Sequence, residues 1–163
     1  MRQLTRRAPR KLRVRRFHVS DAEEIVELFR GTVHNVNSRD YSDEQLEVWA
    51  PAQIDVEAWR ASLAKNFSVV AEIAGQIVGF ADLADYGCIN RLFVHKDFQR
   101  GGIASRLLIT LERAARRAGL TRLVGDVSIT ARPFFAKHGY ILLAEQHPIR
   151  NGVALTNYRM EKH

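Results

Sequence analysis

The sequence has 163 residues, room for one domain with a hydrophobic core, and its 46% apolar content is ordinary for a globular chain. No apolar run reaches the roughly 20 residues of a membrane span, the opening Met1-Arg2-Gln3-Leu4 lacks the apolar core of a secretory signal, and Cys88, the sole cysteine, cannot close an internal disulfide, which together set the expectation of a cytoplasmic protein without membrane association. The net charge of +7 is local: Arg2, Arg6, Arg7, Arg10, Lys11, Arg13, Arg15 and Arg16 crowd an acid-free start, and the other 17 basic residues face 18 acidic ones.

A flexible, solvated basic leader is therefore expected over residues 1–11, with a single domain over 12–163, and nucleic acid is not the expected partner. Leu12, Val14 and Phe17 alternate with arginines, which predicts a strand from Leu12 to about Val19. Ser20-Asp21-Ala22-Glu23 has the form of a capping box, opening a helix with Ile25, Val26, Leu28 and Phe29 on its apolar face. A polar loop through Asn35, Asn37 and Ser38 leads to a second box, Ser42 to Gln45, and a helix with Leu46, Val48 and Trp49 that Pro51 stops. A short helix from Asp55 presents Trp59 and Leu63. Phe67 to Ile73, the turn Ala74-Gly75 and Gln76 to Leu83 predict a hairpin, and Cys88 to Val94 a further strand. Gln99-Arg100-Gly101-Gly102-Ile103-Ala104 runs into a long helix carrying Leu107, Leu108, Leu111, Ala114 and Ala118, closed by Gly119. Leu123 to Val127 reads as a strand, Ala131 to His138 as a helix ended by Gly139, and Tyr140 to Ala144 and Ala154 to Met160 as closing strands. This order describes an α/β (α+β) domain with a mixed sheet.

The segment from Cys88 into the long helix carries the chemistry. Adjacent glycines let backbone amides approach a ligand without an intervening side chain. The helix that follows turns its unsatisfied N–H groups and positive dipole end to the same spot. Strand, glycine loop and helix N-terminus form an anion site suited to a pyrophosphate; they suit equally a tight turn that binds nothing. A Walker loop is excluded because no Gly-Lys-Ser/Thr follows, and a Gly-x-Gly-x-x-Gly fingerprint because Arg106 stands at the third glycine position. His18, His34, His95, His138, His147 and His163 show no metal-ligand spacing, so no metal is expected.

Gln99, Gly102 and Ala104 match the Gln/Arg-x-x-Gly-x-Gly/Ala signature of the GNAT acetyltransferases, with the apolar strand Leu92-Phe93-Val94 upstream and an amphipathic helix downstream. The run from Ser128 through Ala131, Phe134 and Phe135 to Gly139-Tyr140 resembles that family's second landmark, Asn-x-x-Ala-x-x-Phe-Tyr followed by Gly-Phe. The element order is similar from about residue 12 to 161. The resemblance implies a mixed, mostly antiparallel central sheet flanked by helices, and an acetyl-CoA-dependent N-acetyltransferase in which an amine attacks directly in a ternary complex. It implies that the amides of Arg100, Gly101, Gly102, Ile103, Ala104 and Ser105, with Gln99 shaping the turn, hold the pyrophosphate of acetyl-CoA. It implies too that the backbone of Leu92, Phe93 and Val94 pairs with the pantetheine arm, the Val94 N–H lying near the thioester carbonyl. Ser128, Ala131, Phe134 and Phe135 then flank the other side of the arm, although both phenylalanines suit a core role as well.

The sequence departs from the family where acid and base are usual. Phe135 stands where a tyrosine often protonates the leaving thiolate, and Cys88 and Asn90 take the inward strand positions where a carboxylate is common. Tyr41, Asn90 and Tyr140 are the remaining catalytic candidates. Asp82 and Tyr86 read as surface or turn residues, His138 as a helix-end cation, and Cys88 as a small buried hydrophobe rather than a nucleophile. Tyr41 and Trp49 lie where family members build the acceptor wall, although Trp49 also suits a core. The expected acceptor is a small-molecule or protein amine; dimers are common in the family, but no segment declares an interface. A non-catalytic protein that binds or senses a coenzyme A ester is the alternative that the missing acid and base motivate.

Overall fold

The computed structural model describes residues 11–163; the expected basic leader lies, apart from Lys11, outside the described residues. Among the described residues, nine strands and five α-helices follow one another as β1 (Leu12–Arg16), α1 (Ala22–Asn35), α2 (Asp43–Trp49), α3 (Val56–Lys65), β2 (Phe67–Ile73), β3 (Gln76–Leu83), β4 (Cys88–Val94), α4 (Ile103–Arg117), β5 (Leu123–Ser128), α5 (Arg132–Lys137), β6 (Ile141–Gln146), β7 (Ile149–Arg150), β8 (Val153–Ala154) and β9 (Asn157–Lys162). Seven strands form one sheet in the order β1-β2-β3-β4-β5-β9-β6. All its pairings are antiparallel except β4–β5, which is parallel. The mixed, mostly antiparallel sheet flanked by helices is thus as the sequence predicts. No helix among the described residues is long and apolar enough to cross a membrane.

The sheet is covered on both faces, which is why β3 is almost continuously buried. On one face α4 packs Ile103, Leu107, Leu108 and Leu111 against Val69, Val78, Ile89 and Val94. On the other, α1, α2 and α3 place Ile25, Phe29, Leu46 and Leu63 against Val70, Phe80 and Phe93. Gly79 lets α4 come close: a Cβ there would stand 3.0 Å from both Ile103 Cγ2 and Leu107 Cδ1.

Two features of β4 position the site. Its pairing with β5 is confined to Cys88–Val124 and Ile89–Gly125, after which the strands diverge. Its pairing with β3 slips between Asp82 and Leu83, so that Asn90 is an extra, bulged residue. Because strand side chains alternate, the bulge turns Arg91 to the face opposite Ile89. Ile89, Leu92 and Val94 therefore join the core under α4, whereas Phe93 and Arg91 face the helices α1–α3.

Several expectations are corrected. The first capping box belongs to His18 and Asp21: His18 Nδ1 accepts from the Ser20 amide at 3.2 Å and Asp21 Oδ2 from the His18 amide at 2.7 Å, opening a 3-10 turn ahead of α1. Glu23 pairs instead with Arg60 of α3, and β1 ends at Arg16, short of Val19. The Ser42–Gln45 box forms as read. The strand read from Ala154 to Met160 is divided: Ala154 belongs to a short hairpin, β7–β8, which turns through Asn151 and Gly152 at positive φ, and β9 begins at Asn157. Asp82, far from being a surface residue, is fully buried.

Candidate active site

The divergence of β4 from β5 opens a cleft of about 1810 Å³, larger than the roughly 300–1,000 Å³ of pockets for drug-sized ligands. One wall is backbone. The bond from the His95 amide to the Val78 carbonyl, 2.8 Å, fixes the alternation along β4. Residues Phe93 and Arg91 direct their amides and carbonyls to β3, and Leu92 and Val94 direct theirs to the side vacated by β5. The Val94 carbonyl is bound by Thr32 Oγ1 of α1 and by Gln99 Nε2, each at 2.8 Å. Gln99 therefore ties the loop to the strand end.

Beyond the strand, Arg100 and Gly102 adopt φ values of 61° and 79°, which curl the loop so that successive amides converge. Gly102 is the N-cap of α4 and contributes no side-chain cap. A Cβ on it would meet nothing within 4 Å, so the space before the helix is open. Among the described residues, the amides of Arg100 and of Gly102 through Ser105 find no acceptor within the protein. Orphan amides, a positive helix end and open space together fit a pyrophosphate.

The opposite wall comes from the β5–α5 turn. Ser128 Oγ accepts from the Ala131 amide at 3.1 Å, and Ala131, Phe134 and Phe135 all line the cleft. Phe135 is also core, packed edge-on against Tyr140 at 5.2 Å. Ser105 Oγ meets His138 Nε2 at 3.0 Å, joining α4 to the end of α5.

On the α1–α3 face the cleft is aromatic. Phe29 lies 4.7 Å from Trp59 and 5.0 Å from Phe93, and Trp49 lies 5.2 Å from Tyr41, all between ring centroids. Tyr41 spans the mouth: its hydroxyl donates to the Thr156 carbonyl at 2.6 Å and accepts from the Ile129 amide at 3.0 Å. Burial raises its pKa, against the Ile129 amide, which favours the phenolate.

The other two catalytic candidates are placed differently. Tyr140 is outside the cleft lining, its hydroxyl donating to buried Glu112 at 3.2 Å; burial first, and the Glu112 charge next, push its pKa far up. Asn90 reaches the cleft lining but turns its amide to Asp82, at 3.3 Å. Cys88 lies at the start of β4, outside the cleft lining, and burial raises its thiol pKa. Of the two positions expected to face inward, Asn90 reaches the cleft and Cys88 does not, and the bulge adds Arg91 and Phe93 to that face.

Arg91 was not among the sequence candidates. Its Nε and Nη2 grip Asp82 at 3.0 and 2.6 Å, Nη2 also donates to Ser62 Oγ at 2.8 Å, and its guanidinium lies 4.8 Å above the Trp59 ring. Asn66 Nδ2 adds a fourth bond to Asp82, at 2.9 Å. The hairpin register, which sets Asp82 opposite Arg91, is the signal that pairs them.

The model of the Acetyltransferase (GNAT) domain family matches residues 37–162. The chain belongs to the GNAT acetyltransferases. This GNAT protein is 34% identical to YafP of Escherichia coli K12, described as an uncharacterized N-acetyltransferase, over 91% of its own length and 94% of that of YafP. It superposes with a TM-score of 0.89 on a GCN5-related N-acetyltransferase from Rhodopseudomonas palustris, 31% identical and covering 96% of this chain and 98% of the other. PaiA N-acetyltransferase from Thermoplasma acidophilum, solved in complex with coenzyme A, shares the fold at a TM-score of 0.77 and 18% identity, over 93% and 98% of the two chains.

Proposed function

We propose that this GNAT protein binds acetyl-CoA in the cleft between β4 and β5 and transfers the acetyl group to an amine by direct attack in a ternary complex. The observation that carries this reading is the junction of a free β4 edge with a curled loop of unpartnered amides at the N-terminus of α4. The coenzyme A bound by the fold neighbour PaiA supports it.

Acetyl-CoA supplies an activated thioester. The amine nitrogen bonds to its carbonyl carbon, the carbon–sulfur bond breaks, and the proton lost by nitrogen balances the departing thiolate. The amides of residues 100–105 hold the pyrophosphate, the outward N–H and C=O groups of Leu92 and the N–H of Val94 face the pantetheine arm, and Ser128, Ala131, Phe134 and Phe135 close its other side. The Val94 N–H is the donor for charge developing on the carbonyl oxygen, an interaction worth about 3–4 kcal/mol in comparable sites. Thr32 and Gln99, by holding the Val94 carbonyl, fix the plane of that peptide.

Both carboxylates in the cleft lining are already engaged: Asp55 caps α3 through the Ala58 amide at 3.0 Å, and Asp126 accepts from Gln146 at 2.9 Å. Proton removal is assigned to water, and an acceptor of low basicity binds already neutral. Neutralising a lysine-like amine at pH 7 costs about 4.6 kcal/mol, within the roughly 7–11 kcal/mol that positioning two bound reactants supplies at best. Tyr41 acts as a positioning residue, its proton committed to the Thr156 carbonyl.

Calorimetric titration with acetyl-CoA tests this directly. One saturable site is expected, lost in Gly102→Glu with the far-ultraviolet circular dichroism unchanged. Equal affinity in the variant would overturn the assigned cradle, and well-folded wild-type protein that binds no acetyl-CoA would overturn the function.

A further inference from the structure

The walls of the cleft carry information about the acceptor. Among the described residues, five cationic side chains line it (Arg39, Arg91, Arg100, Lys137 and Arg150), against the two engaged carboxylates of Asp55 and Asp126. Arg91 is paired with Asp82 and Arg39 with Asp40, which leaves a smaller positive excess that suits an anionic group.

Arg91 is the cation built to receive one. A guanidinium has five N–H bonds in a fixed plane. Three are used behind it, two on Asp82 and one on Ser62 Oγ, and these come from Nε and Nη2 alone. Nη1 makes no hydrogen bond among the described residues and is not fully enclosed, and Arg91 lines the cleft. Its orientation is over-determined: Asp82 is fully buried beneath it, Asn66 and Asn90 hold Asp82, and the Trp59 ring supports the flat face. Such an arm is pre-organised to donate to a carboxylate. Around it the wall is apolar, formed by Trp49, Trp59, Phe93 and Ile54.

Given the acetyltransferase reading above, on which this rests, we infer that the acceptor is an amine that also bears a carboxylate and an apolar body, and that Arg91 Nη1 binds the carboxylate. The class is that of apolar amino acids and their homologues with a longer amine-to-carboxylate spacing. The aromatic wall takes the apolar body. The transfer itself is unchanged: nitrogen gains the acetyl group, sulfur leaves, and the carboxylate is not altered.

The test is a matched set of amines. Phenylalanine, leucine and their β-amino homologues are each compared with the carboxamide and with the amine lacking the carboxyl group, following release of the coenzyme A thiol. A hydrogen bond to a charged group predicts a preference in kcat/KM of roughly 10- to 100-fold for the carboxylate member of at least one set. Arg91→Lys, and the double variant Asp82→Asn with Arg91→Met, which leaves no buried ion unpaired, should bring that ratio towards one. Each ratio is internal to one protein, so partial unfolding of a variant cannot produce the change. Acetyl-CoA affinity, measured alongside, separates the two readings. If acetyl-CoA binds and the carboxamides or carboxyl-free amines react as well as the acids, or no acid reacts, the inference is overturned while the cradle stands. If acetyl-CoA does not bind the wild type, both fall.

Discussion

The hydroxyl of Thr32, buried in α1, donates at 2.8 Å to the carbonyl of Val94, the last residue of β4. A helix on one face of the sheet thereby holds the peptide at which the acetyl carbonyl is proposed to sit. Thr32→Val keeps the shape and removes the donor. Gln99 still binds the same carbonyl, so the loss in stability is expected to be about 1 kcal/mol. That corresponds to a fall in Tm of roughly 2–4 °C. If the peptide plane matters for the reaction, kcat should fall several-fold with little change in KM for acetyl-CoA. Thermal unfolding and steady-state kinetics on the same preparation check both halves.

Gly79 sets how closely α4 sits on β3. An added methyl would stand 3.0 Å from Ile103 Cγ2 and Leu107 Cδ1, and 3.2 Å from the Phe93 carbonyl. Gly79→Ala is expected to cost about 1–3 kcal/mol, as overpacking does in close-packed cores. Because Ile103 opens α4, the strain falls on the proposed cradle, and acetyl-CoA affinity should drop together with stability. Denaturant unfolding and calorimetry report the two; a stability loss with unchanged affinity would show that the cradle is insulated from the packing below it.

Asp21 makes the amino end of α1 sensitive to acid. Burial opposes its charged form, but the bonds from Arg15, at 2.9 and 3.0 Å, and from the His18 amide prevail and hold its pKa below the ordinary value. A depressed carboxyl contributes stability that is complete above its unfolded pKa, near 3.9, and lost as the pH falls through the folded one. Asp21→Asn should therefore lower the urea midpoint at pH 7, and the gap to wild type should close below about pH 4. A gap of the same size at pH 3 would assign the loss to the cap geometry rather than to the charge.

Tyr140 gives the opposite sign. Its pKa is raised by burial and by Glu112, so its contribution is complete below the unfolded value near 10 and declines as the pH rises beyond it. Tyr140→Phe leaves Glu112 bound to Lys162 at 2.8 Å. Since Tyr140 is outside the cleft lining, kcat/KM should stay within about twofold, against the roughly 10²–10⁴-fold loss expected on removing a general acid or base. Alkaline unfolding curves for the two proteins should converge above pH 10. A large kinetic loss in this variant would return Tyr140 to the catalytic candidates.

Much of the architecture was legible because its signals are local. Phe67–Ile73, Gln76–Leu83 and Cys88–Val94 run as read, since β-rich stretches bounded by Ala74-Gly75 and Gly87 leave little choice of where each strand ends. The capping box was displaced because His18 can accept from an amide as serine does, and nothing local ranks it above Ser20. The Asn151-Gly152 turn carries a hairpin signal, but Ile149-Arg150 and Val153-Ala154 are too short to announce strands. At the site, the loop from Gln99 to Ser105 was readable from glycine and helix chemistry. The Arg91–Asp82 pair was not, because a bulge changes which face a residue takes and leaves no mark on composition.

That single extra residue, Asn90, makes β4 a strand with two independent clients. In the proposed reaction, backbone groups of Leu92 and Val94 meet one substrate through atoms that every amino acid shares, so their side chains are free to answer to the α4 core. Arg91 and Phe93 are proposed to meet the other substrate through side chains alone. Exchanging those two residues would retune what the protein acts upon without redrawing the edge from which it draws its acetyl group, and a scaffold divided in this way can diversify its acceptors while keeping one donor.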